Sequence, residues 1–436
     1  MAIIGGGAAG LAAAVKAGSL AKQLGLPVRI LLLEADDRVG RSILRTGNGR
    51  CNFSNAYAQQ GDYRNKAFVT RAFAQLSQLE GREGDPVLRF FEDWGLSWAE
   101  ESEGRLYPAT NKATTVLNVL RSACQHLGVE ERCECQVVAV DPPHDAGAPF
   151  TLRMDDGQFL RAQAVIVACG GAAARSLVPD APFQPLHPVL GPLEARLEMP
   201  GLATGKKAKQ QAENPLLALN NIRVACKVAL ACQSAGGHYE EAGELLFRKY
   251  GVSGIAVFNL SRYAQPGDKL TIDLLPDWNQ QETESNLFAR RRRLASSYDG
   301  VLTWEDMLRG LVLPPVAQLV AALANARLQD AFLKQNVTQL AAVLKGIPLV
   351  VQGIHDQEGQ CQVRQGGFLV EAFDAKTCQL ASCPGLYVVG EALDVDAPCG
   401  GYNLYWAWSS GMLAAHSVAA RMLQAEGRGQ TPKGCL

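Results

Sequence analysis

The chain begins with the stretch Ala2-Ile3-Ile4-Gly5-Gly6-Gly7-Ala8-Ala9-Gly10-Leu11-Ala12-Ala13-Ala14. It predicts a short strand, a glycine turn of the form G-x-G-x-x-G, and a helix. In such a turn Gly5 permits the sharp change of direction, Gly7 lets a pyrophosphate approach the backbone, and Gly10 lets the helix pack closely on the strand. The N–H groups and partial positive charge at the helix start favour phosphate groups. The stretch therefore predicts a dinucleotide-binding turn.

A second strand favours this interpretation over an ordinary strand-turn-helix corner. The run Val28-Arg29-Ile30-Leu31-Leu32-Leu33 ends in Glu34, which lies 24 residues after Gly10. A carboxylate at that position can accept hydrogen bonds from the ribose of an adenosine. The predicted contacts with this half of the cofactor are Gly5, Gly7, Ala8, Ala9, Gly10, Glu34 and Ala35.

Composition and charge bound the class of protein. The 436 residues are 47% hydrophobic and 19% charged, which is typical of globular proteins, and the length predicts more than one domain. The formal net charge of −1 argues against nucleic acid or an anionic membrane as a partner. Because the glycine turn leaves no room for a leader and no apolar run reaches about 18 residues, we expect a cytoplasmic protein without a membrane partner.

The cysteines and histidines show no pattern of a metal site. The 12 cysteines include no C-x-x-C pair, and the six histidines stand apart from one another. The sequence therefore predicts neither a bound metal nor a dithiol redox centre.

A loop rich in glycine and arginine follows Glu34. It is either a surface excursion or a clamp for phosphate and ring oxygens, and Arg41 and Arg50 favour the clamp because guanidinium groups match such oxygens. Within it, Gly40-Arg41 and the block Thr46-Gly47-Asn48-Gly49-Arg50-Cys51-Asn52-Phe53-Ser54-Asn55 resemble the signature of the bacterial BaiN/RdsA-type FAD-dependent oxidoreductases. A second block, Gly104-Arg105-Leu106-Tyr107-Pro108, is similar to another segment of that family.

The resemblance implies FAD as the cofactor. It implies that the loop contributes contacts from Arg41, Ser42, Gly49, Arg50, Cys51 and Asn52. In the middle of the chain an antiparallel excursion is predicted from about residue 135, followed by the buried strand Ala164-Val165-Ile166-Val167-Ala168. The cofactor contacts predicted there are Val138, Ala168, Cys169 and Gly170.

After Gly171 the resemblance breaks. The loop G-S-T-G-D-G-Y and the helix that follow in the family are absent, so the chain runs almost directly to Leu186-His187. From residue 185 to residue 346 the composition changes to turns, short strands and helical stretches, which predicts an inserted substrate domain. We therefore expect residues 1–184 and 347–436 to form the two parts of the FAD-binding domain.

The C-terminal segment closes the predicted site. A buried strand ends in Gly390-Glu391, and Pro398-Cys399-Gly400-Gly401-Tyr402-Asn403 opens an alanine-rich helix whose start can direct N–H groups at the flavin. The whole segment resembles the family signature, with departures at Ala397, Cys399 and Tyr405. The predicted contacts are Gly390, Glu391, Gly400, Gly401, Tyr402 and Asn403.

Together these features predict an α/β fold, with a Rossmann-like FAD-binding domain of the glutathione-reductase type and an inserted mixed β-barrel and helical domain. The resemblance implies an FAD-dependent oxidoreductase that transfers hydride through flavin N5. The leading hypothesis is reduction of an unsaturated or carbonyl-type small molecule with NAD(P)H, which would bind transiently because no second glycine turn is present. The alternatives are an amine oxidase that uses oxygen and a flavin-containing RNA-modifying protein. No catalytic residue is predicted.

Overall fold

The computed structural model describes residues 1–145, 147–198, 215–233, 236–357, 361, 363–425 and 427. The chain divides into two compact units. The first takes in Met1–His187 and Val363–Leu436, and the second takes in Pro188–Gln362.

The strands are numbered in chain order. They are β1 (Ala2–Ile4), β2 (Leu31–Leu33), β3 (Ser54–Asn55), β4 (Trp98–Glu100), β5 (Arg105–Pro108), β6 (Glu130–Arg132), β7 (Val137–Asp141), β8 (Phe150–Met154), β9 (Phe159–Ala162), β10 (Val165–Val167), β11 (Phe183–Val189), β12 (Leu193–Leu197), β13 (Arg223–Ala231), β14 (His238–Arg248), β15 (Gly251–Ser253), β16 (Lys269–Asp273), β17 (Ile347–Ile354), β18 (Val363–Phe368) and β19 (Leu386–Val388).

The α-helices are numbered in the same way. They are α1 (Ala8–Leu24), α2 (Arg41–Arg45), α3 (Lys66–Glu80), α4 (Pro86–Asp93), α5 (Ala113–His126), α6 (Gly170–Leu177), α7 (Ile255–Ser261), α8 (Gln280–Ser297), α9 (Trp304–Leu308), α10 (Pro314–Leu323), α11 (Asn336–Lys345) and α12 (Tyr402–Ala425).

A five-stranded sheet forms the centre of the first unit. Its strand order is β19-β10-β1-β2-β6, and every pairing is parallel. The three residues of β1 are buried and pair on both sides, with Ile3 opposite Ile166 of β10 and Leu32 of β2. Strands covered on both faces must be apolar throughout, which explains why the sequence shows continuous apolar runs here.

Helices α1 and α12 pack closely together. The alanine-rich α1 follows the glycine turn directly and ends at Gly25, whose left-handed backbone (φ 61°) caps it. A side chain at Gly411 of α12 would overlap the backbone carbonyl of Ala9 in α1. The N-terminal and C-terminal parts of the first unit are therefore in direct van der Waals contact through α1 and α12.

A helix is present after Gly171. The expectation that the chain runs without one to Leu186 is wrong, because α6 begins at Gly170 and buries Gly171, Ala174 and Leu177. Two small antiparallel sheets, β3-β5-β4 and β7-β8-β9, complete the first unit together with the strand pair β11-β18.

The second unit contains a closed six-stranded barrel. The strand order is β12-β15-β14-β13-β16-β17, so each strand pairs on both sides. Alternate residues of β13 (Cys226, Val228 and Leu230) are buried in its core. Helix α8 begins with a reciprocal capping box between Asn279 and Glu282.

The predicted fold class is confirmed, but one domain boundary differs from the prediction. The sequence placed the end of the inserted domain at residue 346, whereas β17 pairs with β12 and β16 inside the barrel. The boundary therefore lies between Gln362 and Val363. Among the residues that the structure describes, no helix is long and apolar enough to cross a membrane.

Candidate functional site

The predicted cofactor residues gather at one edge of the parallel sheet. Because β1, β2, β10 and β19 run in the same direction, the residues that follow them lie at a common edge. Those residues are Gly5, Glu34, Ala168 and Gly390. Segments that are far apart in the sequence thus contribute to one surface.

The glycine turn has the geometry that the sequence predicts. Gly5 has φ 102°, and a side chain there would lie 2.7 Å from the carbonyl oxygen of Ala168. A side chain at Gly10 would overlap the carbonyl oxygen of Gly5, so the close packing of helix on strand requires glycine at this position. The Cβ of Ala168 would lie 3.4 Å from a Cβ on Gly10, in van der Waals contact.

Gly7 differs from Gly5 and Gly10 because no backbone atom crowds it. A Cβ at Gly7 would meet only Ser42 Oγ, at 3.2 Å, within 4 Å. Gly7 is also the N-cap of α1, which has no side-chain cap and no acidic residue in its first turn. Ala8 and Ala9 begin that turn, and the first N–H groups of a helix have no partner within it. This geometry suits an anion.

Glu34 is held in place by backbone groups. Its Oε2 accepts a hydrogen bond from the N–H of Gly6 at 2.7 Å, and its Oε1 accepts from the N–H of Asp36 at 2.9 Å, across Ala35. Each carboxylate oxygen can accept a second hydrogen bond. The side chain is therefore oriented and still able to bind hydroxyl groups.

The two arginines predicted as clamps have protein partners. Arg41 is exposed and lies 3.0 Å from Asp36 Oδ1. The guanidinium of Arg50 bonds to Glu101 and Asn111, and its Cζ lies 4.0 Å from the ring centroid of Tyr107. Arg41 is thus paired within the loop, whereas Arg50 is paired with residues of a distant segment.

Cys51 and Asn52 follow Gly49 and Arg50 and are both buried. Cys51 has a left-handed backbone (φ 58°), and burial raises the pKa of its thiol to about 12. The thiol is therefore neutral at physiological pH. Asn52 Oδ1 is buried and accepts no hydrogen bond from the described residues.

Two signature blocks of the sequence lie side by side. Strands β3 and β5 pair antiparallel, which places Asn55 opposite Arg105. The Nδ2 of Asn55 donates to the carbonyl of Glu103 at 3.0 Å and to that of Gly400 at 2.9 Å. Gly401 (φ 99°) packs so tightly that a side chain would overlap the backbone of Ser54. Three segments therefore meet at the start of α12.

The residues predicted as contacts near β7 and β10 differ in how far they are exposed to solvent. Val138 is 42% exposed at an irregularity of β7, so it is available to a ligand but not held in a site. Cys169 precedes α6, and burial raises the pKa of its thiol to about 12. Gly170 has φ 76° and open space where a Cβ would be.

Gly390 and Glu391 follow β19. The N–H of Gly390 donates to Ser410 Oγ at 2.9 Å, and its carbonyl accepts from Trp406 Nε1 at 3.1 Å. The Glu391 side chain is exposed to solvent, yet burial raises the pKa of its carboxyl to about 7. Protein atoms around the carboxyl therefore raise its pKa even though solvent reaches the residue.

Tyr402 and Asn403 contribute to the loop before α12. The Asn403 side chain accepts from the N–H of Ala397 and donates to the Ala397 carbonyl, both at 2.9 Å. The carbonyl of Tyr402 accepts from the Tyr63 hydroxyl at 3.0 Å. The Asn403 amide therefore fixes the loop before α12.

One departure from the family signature has a structural explanation. Tyr405, where glutamine is usual, is buried and donates from its hydroxyl to Asp85 Oδ2 at 2.9 Å. Burial and the charge of Asp85 raise the pKa of this phenol well above its usual value. The tyrosine thus joins α12 to the start of α4.

Sequence reasoning missed Asn55 and Arg105 as members of the site. Both lie in the blocks that resemble the family signature, and this resemblance could have pointed to them. Their roles, however, depend on pairing between distant strands. Among the described residues no cluster of three or more His, Cys, Asp or Glu could hold a metal ion.

Comparisons with known proteins cover nearly the whole chain. The family described as HI0933-like protein Rossmann domain matches residues 1–417. The chain is 29% identical to a 3-dehydro-bile acid delta(4,6)-reductase of Clostridium scindens, covering 96% of this chain and 98% of that protein. It is 28% identical to a ribosomal RNA dihydrouridine synthase of Escherichia coli, covering 96% and 97%, and 27% identical to one of Haemophilus influenzae, covering 96% and 98%. The chain belongs to the HI0933-like Rossmann-domain family, and the prediction of an FAD-dependent oxidoreductase of this family is confirmed.

Proposed function

We propose that this enzyme uses FAD to reduce a carbon–carbon double bond conjugated to a carbonyl group in a small molecule, with NAD(P)H as the reductant. The observation that carries the proposal is the full-length similarity to a delta(4,6)-reductase, joined to a sheet edge that fits FAD. We further propose that the second unit provides substrate recognition.

The pyrophosphate of FAD fits the start of α1. Gly7 leaves space at an uncapped helix terminus, where N–H groups and the helix dipole stabilise negative charge. Ser42, whose Oγ lies beside Gly7, can donate to the same phosphates. Glu34 would accept hydrogen bonds from the ribose hydroxyls, and Glu391 from the hydroxyls of the ribityl chain.

The flavin ring fits the region around Gly400 and Gly401. Asn52 has a buried carbonyl oxygen without a partner there, and a buried acceptor of this kind favours a ligand donor. We propose that Arg41, Arg50 and Asn403 act by fixing loop conformation, because each is bonded to protein groups. FAD when bound supplies hydride transfer, which the protein promotes by position and electrostatics.

The two kinds of relatives act on different substrates but share a reaction type. A 3-oxo delta(4,6) steroid and a uridine both carry a double bond conjugated to a carbonyl, and reduction adds a hydride and a proton across it. We favour the small molecule because the net charge is −1. Several exposed arginines are also paired with carboxylates, among them Arg29, Arg82 and Arg223, which weakens their attraction for phosphate.

Reduction of uridine in RNA is the second candidate. The similarity to two ribosomal RNA dihydrouridine synthases over 96% of this chain favours it. Binding of RNA would then be expected to weaken steeply as salt is raised.

The test is anaerobic mixing of the purified protein with NADH, NADPH or primary amines while flavin absorbance is followed. The reduced protein is then offered a 3-oxo delta(4,6) steroid, a uridine-containing RNA or oxygen. We expect slow bleaching by a nicotinamide and recovery of absorbance with the steroid. Gly7→Ala, which should fold but bind FAD poorly, serves as the control.

Three outcomes would contradict the proposal. Recovery only with RNA would favour the second candidate. Bleaching by primary amines without bleaching by either nicotinamide would favour an oxidase. A protein that gains no flavin absorbance on reconstitution would contradict FAD binding itself.

A further inference from the structure

Buried polar atoms without a partner lie where three segments meet at the start of α12. Within the described residues, Asn52 Oδ1, Ser54 Oγ and Arg105 Nε are buried without hydrogen-bond partners. A buried polar group left unpaired destabilises the fold by about 1–3 kcal/mol, so a cluster of such groups calls for an explanation.

The neighbouring asparagine shows that the fold can satisfy amides in this region. Asn55 uses both ends of its side chain, since its Oδ1 also accepts from the N–H of Tyr57 at 2.8 Å. Asn52 is 9% exposed and three residues away, yet its carbonyl oxygen has no donor. The unpaired state is therefore confined to particular atoms of Asn52, Ser54 and Arg105 rather than general to the loop.

These two residues flank adjacent glycines. Asn52 Oδ1 would lie 3.0 Å from a Cβ on Gly401, and Arg105 Cγ would lie 3.8 Å from a Cβ on Gly400. One side chain offers a hydrogen-bond acceptor and the other offers a donor with a positive charge. A hydrogen-bond acceptor and a positively charged donor thus lie beside the start of α12.

The charge of Arg105 is only partly neutralised by its partner. Its Nη2 bonds to Glu103, but the Glu103 side chain is 64% exposed, whereas that of Arg105 is 19% exposed. An exposed carboxylate is screened by solvent, so the arginine retains a positive field on its buried side.

We propose that Asn52 and Arg105 bind the pyrimidine ring of the flavin, and that Arg105 raises its reduction potential. That ring carries an N–H between two carbonyl groups, which matches one acceptor and one donor. A positive charge beside it favours the reduced form, which carries more negative charge. The inference rests on the proposed binding of FAD and deepens it by assigning roles that the sequence did not predict for Arg105.

The first test separates a ligand role from a structural one. Asn52→Leu and Arg105→Met replace the unpaired groups with apolar side chains of similar length. A merely structural role predicts apoproteins that lose stability while their FAD affinity is unchanged. We expect equal or greater thermal stability of the apoprotein together with about tenfold weaker FAD binding for each variant, a change of about 1.4 kcal/mol.

The second test measures the flavin midpoint potential of the holoprotein. Arg105→Met should lower it, Arg105→Lys should largely preserve it, and Asn52→Leu should change it less than Arg105→Met does. A tenfold change in the relative binding of the two redox forms corresponds to about 30 mV for a two-electron couple. Arg82→Met, which removes an exposed arginine paired with Asp93, is the matched control.

The third test uses FAD methylated at N3, which lacks the ring N–H. The wild-type protein should bind it about tenfold more weakly than FAD, whereas Asn52→Leu should bind both equally. Equal FAD affinity and potential in wild type, Asn52→Leu and Arg105→Met would overturn the inference while leaving FAD binding intact. A wild-type protein that binds no FAD would instead overturn the proposed function.

Discussion

Asn55 donates a hydrogen bond to the carbonyl oxygen of Gly400 at 2.9 Å and so joins segments that lie 345 residues apart. Asn55 is 2% exposed and also bonds to Glu103 and Tyr57. The contact fixes the start of α12 against the strand pair β3-β5. The position of the glycine pair at the site therefore depends on one buried side chain.

We expect Asn55→Asp to be more destabilising than Asn55→Ala. The aspartate would keep the acceptor for Tyr57 but place a carboxylate oxygen against two carbonyls. We expect the free energy of unfolding to fall by about 3 kcal/mol, against about 2 kcal/mol for alanine. Urea unfolding of the apoproteins measures this, with Asn118→Asp on the exposed face of α5 as the control. An aspartate variant as stable as the alanine variant would contradict the assigned donor role.

Substitutions at two glycines of the first turn should have opposite consequences. Gly7→Ala adds a methyl group where only Ser42 Oγ is near, so we expect the unfolding free energy to change by no more than about 0.5 kcal/mol. FAD affinity should nevertheless fall about 100-fold, because the methyl group occupies the proposed phosphate position.

Gly10→Ala should instead reduce stability by about 3 kcal/mol, because its methyl group overlaps the Gly5 carbonyl. Calorimetric FAD titration and thermal unfolding of both variants are the measurements. Gly353→Ala, where a Cβ would meet no atom within 4 Å, is the neutral control. Loss of stability in Gly7→Ala equal to that in Gly10→Ala would show that Gly7 is needed for packing.

Cys51→Ser should leave the rate of anaerobic flavin reduction unchanged. The thiol is buried and neutral, since burial raises its pKa to about 12, and a redox relay requires an accessible thiolate. The hydroxyl should destabilise the protein by about 1–3 kcal/mol because it replaces a thiol in an apolar site. Stopped-flow reduction is the measurement, and a severe loss of rate with unchanged FAD content would assign Cys51 a catalytic role.

Glu80→Gln should change the acid limb of the stability curve. Burial alone would raise the pKa of the Glu80 carboxyl, but hydrogen bonds from His416 and Lys16 lower it to about 2. The two partners lie 2.8 Å and 2.7 Å from Oε1 and join α3 to α12 and α1. A lowered folded-state pKa gives stability that is present above pH 4.5, the usual value, and lost as the pH falls toward 2.

We therefore expect Glu80→Gln to be less stable at pH 7 by about 3 kcal/mol and to approach wild-type stability near pH 2. Urea unfolding across this pH range is the measurement, and the exposed Glu83→Gln is the control. A constant difference between wild type and variant at all pH values would mean that the carboxyl does not titrate as assigned.

The individual strands and helices were predictable because the residue patterns that indicate them lie within short stretches of sequence. The apolar runs before Gly5, Glu34, Cys169 and Gly390 predicted the parallel strands, since a strand covered on both faces must be apolar. The helix after the glycine turn was predicted from its alanine content. The end of the inserted unit was misplaced, because the sequence of Ile347–Ile354 predicts a strand but does not indicate which strands it pairs with. In the structure its partners are barrel strands rather than strands of the parallel sheet.

The partners of the polar residues were not predictable in the same way. Arg50 was predicted to clamp a phosphate, but the fold brings Glu101 and Asn111 within bonding distance. Asn403 looked like a ligand contact, but its amide is used on the backbone of Ala397. In both cases the sequence showed a suitable donor, but its acceptor was decided by the fold: by long-range packing for Arg50 and by the conformation of its own loop for Asn403.

By itself, the sequence determined the class of fold, the nucleotide-binding turn and family membership, because these depend on spacing within short segments. Tertiary structure alone decided that, among the described residues, Asn52 Oδ1 and Arg105 Nε lack a hydrogen-bond partner beside Gly400 and Gly401. Their separation in sequence is large, and their approach depends on the register of β3 against β5 and on the packing of α12 against both. A side chain's chemistry is fixed by its residue type, but whether that chemistry is satisfied depends on which neighbours the folded chain supplies.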